Sequence, residues 1–164
     1  MGLLRVAAIG LAAVFVWTLA AGRVAGEQRL PLASIVPGAV VTLPFGCTSL
    51  ELEPFDPLCP GSHIHTGVDL AAAAGTAVHA ATAGIARVGF DPSGAGIFVA
   101  VAVGEHVRLL YCHLSRVRVV AGESVTPGQV IGEVGATGLA TGAHLHFEVQ
   151  IDGRSVDPAA WLSP

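Results

Sequence analysis

The sequence predicts an all-β fold, an antiparallel two-sheet sandwich or barrel-like domain finished by one short helical turn. Three observations carry this. Beyond residue 39 the apolar residues fall in runs of about four to eight, and none sustains a 3.6-residue period. Clusters of Gly, Pro, Ser and Asp cut those runs at short intervals. The clearest run, His144–Ile151, alternates polar with apolar residues as a half-buried strand does.

Taken in order, the expected strands are Ala39–Leu43, Ala77–Ala80, Ile85–Phe90, Gly96–Val103, Val107–His113, Gln129–Val134 and His144–Ile151. The turns between them are written as Asp91-Pro92-Ser93-Gly94, Gly104-Glu105, Ala121-Gly122-Glu123, Thr126-Pro127-Gly128 and Asp152-Gly153. The sequence has no Asn, so turns that need φ > 0 fall mostly to Gly. Ala71–Ala74 reads as loop, because Gly67 and Gly75 flank it. Asp157-Pro158 is an N-cap followed by a first-turn proline, so Ala159–Leu162 is expected to form the helical turn. On the strand Val107–His113, period two places Val107, Leu109, Tyr111 and His113 on one face.

Residues 39–164 therefore form the expected domain, and residues 26–38, interrupted by Pro31, Pro37 and Gly38, the expected linker. Residues 1–25 read as an export segment. Arg5 gives a positive start, Val6–Gly22 is an uncharged run of 17 residues, and Ala20, Ala21 and Gly22 are small. This describes a signal peptide cleaved after Ala20 or Gly22, or an uncleaved membrane anchor through residues 6–22 at the lower edge of a span. Either way the domain is expected outside the cytoplasm, secreted or in the cell envelope.

Composition excludes several classes. With 52% hydrophobic and 12% charged residues, the chain has too much apolar surface for a disordered segment. All eight basic residues are Arg, and from residue 27 onward six of them face twelve acids, a formal charge near −6. That sign is wrong for nucleic acid, and no polybasic membrane patch exists. A monomer is expected. Export makes an oxidising compartment, in which Cys47 and Cys59 would bridge and staple the Pro-rich loop between them, a closure worth about 3 kcal/mol. Cys112, between Tyr111 and His113, reads as a small buried side chain on a strand.

The chemistry concentrates in histidine, of which there are seven. His65-Thr66-Gly67-Val68-Asp69 puts an imidazole and a carboxylate at i and i+4, which share a face in a strand or a helix. In His144-Leu145-His146-Phe147-Glu148, period two sends His144, His146 and Glu148 to a polar face, and Leu145, Phe147 and Val149 to the core. His113 closes a third apolar strand. Two His and one Asp make a catalytic-type zinc site with a position left for water, and the remaining His serve as supporting or acid–base groups. His79 reads as structural and His106 as a solvated residue at a hairpin tip. His63 reads as a residue outside the site, with a place beside His65 at the rim of a groove, if the segment is extended, as the alternative.

From Val40 to Leu162 these motifs resemble the lysostaphin-type, or LytM-like, zinc endopeptidases of bacterial cell walls. The resemblance runs through Pro44-Phe45-Gly46, His65-Thr66-Gly67-Val68-Asp69-Leu70, Gly75-Thr76-Ala77-Val78 and Tyr111-Cys112-His113-Leu114. It continues in Gly128-Gln129-Val130-Ile131-Gly132, Gly135-Ala136-Thr137-Gly138, His144-Leu145-His146-Phe147-Glu148-Val149 and Val156-Asp157-Pro158. It implies one zinc ion held by His65, Asp69 and His146, with His113 and His144 as catalytic histidines. It also implies a duplicated hybrid β motif with a groove for an extended peptide, and peptidoglycan peptide bonds as substrate. The Arg that often follows the family's Phe-Gly pair is replaced by Cys47, so specificity is where this chain departs. The alternative within the resemblance is an inactive domain that binds and activates a partner amidase.

Overall fold

A computed structural model describes residues 28–163. The export segment expected over residues 1–25 lies outside the described residues. Among those described, no helix is long and apolar enough to cross a membrane.

Among the described residues, thirteen strands account for nearly all regular structure: β1 (Val40–Leu43), β2 (Gly46–Thr48), β3 (His63–His65), β4 (Val68–Ala71), β5 (Ala77–His79), β6 (Gly84–Asp91), β7 (Gly96–Val103), β8 (Val107–Leu114), β9 (Arg116–Val117), β10 (Ser124–Val125), β11 (Val130–Glu133), β12 (His144–Ile151) and β13 (Arg154–Val156). One short helix follows, α1 (Pro158–Leu162). The main sheet has eight strands in the order β1-β4-β12-β8-β7-β6-β10, with β13 paired to β12. A three-stranded sheet, β5-β11-β9, and the β2-β3 pair complete the fold. The pairings are antiparallel throughout.

The core lies under the main sheet. Leu145, Phe147 and Val149 of β12 point inward with Leu109 and Tyr111 of β8 and Val99 and Val101 of β7. Val78 of β5 and Ile131 of β11 meet them from the small sheet. Each such side chain, fully withdrawn from water, contributes about 1.5–3 kcal/mol. The Tyr111 hydroxyl is satisfied inside this core, accepting from the Ala81 N–H at 2.8 Å. Inward packing of one face frees the other, and the outer face of β12 and β8 becomes the floor of a groove.

Expected and observed strands agree closely, with two additions at the site. The short strands β3 and β4 were hidden by the Thr66-Gly67 turn between them. The stretch read as linker packs against the domain. Leu32–Ser34 forms a 3-10 turn, and Ile35 and Val36 are buried in the core. Its backbone is held too, since the His79 N–H donates to the Ile35 carbonyl at 2.8 Å and the Leu30 N–H to the Ala81 carbonyl at 2.7 Å. Two adjacent buried residues show no period, which is why the sequence pattern conceals them. The helical turn forms as expected: the Ala159 N–H donates to Asp157 Oδ1 at 2.9 Å, and Pro158 occupies the first turn.

Candidate metal centre

The site is assembled by the β4–β12–β8 ladder. Asp69 pairs with His146 across β4 and β12, and Cys112 pairs with His146 across β12 and β8. Alternation on β12 sends His144, His146 and Glu148 outward, as the sequence pattern requires. His65 and Asp69 do not share one element. His65 ends β3, Asp69 lies in β4, and the Thr66-Gly67 turn folds one over the other. Gly67 makes this approach possible: a Cβ there would lie 2.5 Å from the Phe147 carbonyl oxygen and 2.8 Å from the His146 ring.

Three donor atoms converge. His65 Nε2 lies 3.1 Å from Asp69 Oδ1 and 3.0 Å from His146 Nδ1, and His146 Nδ1 lies 3.1 Å from Asp69 Oδ1. His65 is fully buried, and its Nδ1–H donates to the Pro44 carbonyl at 2.9 Å. In the neutral ring Nε2 is therefore a bare lone pair aimed at a carboxylate oxygen, which is also an acceptor. Only a proton or a cation reconciles such a triangle. The donor set fits a small divalent ion: four ligands at about 2.0–2.1 Å in a tetrahedron lie about 3.3 Å apart, close to the observed edges.

The charges agree. Burial alone would raise the Asp69 pKa, but hydrogen bonds from His146 and His65 outweigh it and hold the carboxyl far below the usual carboxylate range. Burial opposes a charge on His146, yet Asp69 and Glu148 outweigh it and raise that pKa to about 9. Glu148 is itself buried, accepting from Ser155 Oγ at 2.5 Å and from Gln150 Nε2 at 2.7 Å, with Oε2 3.8 Å from His146 Nε2.

His113 reaches the site by a route that simple alternation does not predict. Ile97 faces Leu114 and Val99 faces Tyr111, so Cys112 and His113 together oppose the single residue Phe98. This β-bulge puts His113 at φ 62° and turns it away from the face of Leu109 and Tyr111, contrary to the expectation that it shares their face. Left-handed φ is costly for most residues but comparatively accessible to His. Its ring then lies 4.7 Å from that of His144 and 6.0 Å from that of His146. The apolar spacing Leu109, Tyr111, Leu114 is the sequence signal of the bulge.

Both outer histidines are pinned through Nδ1. His113 Nδ1–H donates to the Thr137 carbonyl at 2.8 Å, and His144 Nδ1–H to the Gly142 carbonyl at 2.9 Å. Each is left with Nε2 for the cleft, and His144 Nε2 lies 3.7 Å from Asp69 Oδ1. Burial pushes the His113 pKa below the ordinary imidazole value, and neighbouring His144 and His146 push the same way. Both effects favour the neutral imidazole.

The other expectations sort cleanly. His63 stays out of the cluster: its Nδ1–H donates to the Glu53 carbonyl at 2.7 Å and its ring stacks edge-on with Phe55. His79 is structural, bonded to the Ile35 carbonyl. His106 is exposed at a hairpin end and pairs with Asp152 at 2.7 Å. Cys112 is free and buried, and Cys47 and Cys59 are bridged. The bridged loop walls the site. Leu52 and Glu53 from it, and Leu139 opposite, flank His113 and His146 where two cavities of about 270 and 160 Å³ adjoin.

Residues 63–158 match the model of peptidase family M23. The peptidoglycan DD-endopeptidase ShyA of Vibrio cholerae is 38% identical over 93 residues, 57% of this chain and 22% of that protein. An uncharacterized metalloprotease of Haemophilus influenzae is 41% identical over 95 residues, 57% of this chain and 20% of its own length. The chain thus spans about a fifth of the curated relatives it matches. Among solved structures, the catalytic domain of lysostaphin from Staphylococcus simulans superposes with a TM-score of 0.63 at 29% identity, covering 76% of this chain and 92% of that one. A zinc containing peptidase from Vibrio cholerae gives 0.67 at 28% identity, covering 81% and 40%.

Proposed function

Because the chain belongs to peptidase family M23, we propose that it is an exported zinc endopeptidase that hydrolyses peptide bonds of peptidoglycan. The observation that carries this reading is the triangle of His65 Nε2, Asp69 Oδ1 and His146 Nδ1, with edges of 3.0–3.1 Å. These three residues would hold the metal. Zinc suits two imidazoles and one carboxylate, and supplies Lewis acidity that activates water and the scissile carbonyl at neutral pH.

The chain's own residues do the rest. Burial favours the neutral form of His113, and its Thr137 bond leaves Nε2 to accept the proton of the attacking water. His144 stands across the cleft with Nε2 inward; carrying a proton there as well as on Nδ1, it would donate to the carbonyl oxygen as that gains negative charge, while the proton taken up by His113 would pass to the leaving amine. The walls around Leu52 and Leu139 hold an extended peptide over these groups. The N-terminal apolar run delivers the domain to the compartment where the substrate is found.

Digestion of purified peptidoglycan of several cross-link chemistries by the zinc-loaded protein, followed by mass spectrometry of the fragments, tests this reading. The expected result is a new free amino terminus at one defined peptide bond, lost on zinc removal. Intact wall material of every chemistry, together with stimulation of a partner amidase, would replace this function with that of an activator.

A further inference from the structure

The outer face of the main sheet continues past the metal centre. Along β12 and β8 the paired rows are His146 with Cys112, then Glu148 with Leu110, then Gln150 with Arg108. The ladder carries these rows onward: Leu110 faces Ala100, which faces Arg87, and Arg108 faces Ala102, which faces Ile85. All of these side chains leave the same face, opposite the core residues Leu109 and Val149. The cavity beside the metal ends on Leu110 and Glu148. A second cavity, of about 690 Å³, begins one row further on at Arg108 and Gln150 and includes Arg87.

The two arginines flank a trough floored by Ala102. Two strand spacings and one two-residue step separate their backbones, about 12 Å, and each side chain reaches more than half that distance. Arg116 and Arg118 spend their charge on Glu133, but no described acidic side chain pairs with Arg87 or Arg108. Arg108 is oriented without being neutralised: its Nε–H donates to Gln150 Oε1 at 3.0 Å, and the Gln150 amide donates in turn to Glu148. Glu105 and Asp152 line the same cavity. Asp152 is held by His106 at 2.7 Å, and Glu105 sits at the exposed hairpin tip.

We propose that Arg87 and Arg108 form a subsite for a carboxylate of the extended peptide bound in the groove. Four strand residues separate His146 from Gln150, about 14 Å, so the carboxylate lies about four extended residues from the scissile bond. Planar guanidinium groups suit this ligand better than a neutral amide. The subsite therefore selects acidic stem peptides over an uncharged glycine bridge. This rests on the peptidoglycan reading above and narrows it to carboxylate-bearing substrates.

The test uses the zinc-loaded full chain and a soluble cross-linked stem peptide, with its free carboxylates intact or converted to carboxamides, beside pentaglycine. The intact peptide is expected to exceed the fully amidated one by about tenfold in kcat/KM, the low end for charge-assisted hydrogen bonds at an exposed site. Peptides amidated only at a side chain or only at the terminal carboxyl show which group supplies the anion. In the Arg87→Gln, Arg108→Gln double variant the preference should fall below about twofold, through a larger loss on the intact peptide than on the amidated one. Equal rates on both peptides in the wild type, or a preference that survives the double substitution, would overturn the subsite. Calorimetric binding of the same peptides decides the subsite separately. If intact peptide binds more tightly yet neither form is cut, the peptidase reading fails and the subsite stands.

Discussion

Substitution of Gly67 by alanine tests whether the metal centre depends on the close fold of β3 over β12. The new Cβ would lie 2.5 Å from the Phe147 carbonyl oxygen and 2.8 Å from Cε1 and Nε2 of His146. Relief to ordinary contact needs movements of about 0.6–0.9 Å, more than the half-ångström tolerance of a built site. The carbonyl belongs to β12 in register with β4, so the backbone resists and the His146 ring must yield. Overpacking of this kind costs about 1–3 kcal/mol, and disturbing a ligand's support lowers metal affinity by about 10–100-fold. Gly142 is the control: an added Cβ there meets nothing within 4 Å, although its carbonyl holds His144. Zinc affinity by chelator competition and urea unfolding of both variants give the comparison. Gly67→Ala should lose affinity and stability, and Gly142→Ala should keep both. A Gly67→Ala protein that binds zinc like the wild type would refute the packing argument.

Other consequences follow from burial, linkage and cross-linking. Burial pushes the Cys112 thiol up to about 12, so native protein at pH 8 should resist alkylation and yield one reactive thiol only on unfolding; rapid native labelling would contradict its placement. Replacing Cys47 and Cys59 together by serine should cost about 3 kcal/mol in denaturant unfolding, and an unchanged midpoint would mean that the β2–β3 pairing alone holds the loop. In the metal-free protein His146 carries a proton up to pH about 9. Zinc must displace it, so zinc affinity should rise about tenfold per pH unit from 6 to 8 with release of about one proton; calorimetry in buffers of different ionisation enthalpy would expose a flat dependence.

Much of this was legible in the residues, and the exceptions have physical causes. Period two on β12 placed His144 and His146 outward and Leu145 and Phe147 inward, and the structure agrees, because a strand with one buried face tolerates no slip of register. The bridge between Cys47 and Cys59 and the buried Cys112 were equally readable. The bulge at Cys112-His113 escapes an alternation reading, which assumes an unbroken ladder, and one extra residue reverses the face of everything beyond it; only the spacing Leu109, Tyr111, Leu114 marks it. His65 and Asp69 come within 3.1 Å of each other, yet not on one shared element as the i, i+4 spacing assumes; a turn through Gly67 makes the contact. The docking of Ile35 and Val36 left no periodic trace. The arginines of the proposed subsite lie 21 residues apart on different strands, and only the register of β6, β7 and β8 brings them to one trough.

The division of labour among the five central residues is the account's central claim, and one paired measurement of bound zinc and turnover tests it. Wild-type protein purified without chelator should carry about one zinc per chain, as three protein ligands require. Asp69→Ala should lose most of that metal and all activity. His144→Ala and His113→Ala should fold, retain the metal, and lose at least ~100-fold in peptidoglycan turnover, the size expected for acid–base and oxyanion groups. Equal zinc loss in Asp69→Ala and His144→Ala, or near-normal turnover by either histidine variant, would contradict the assignment.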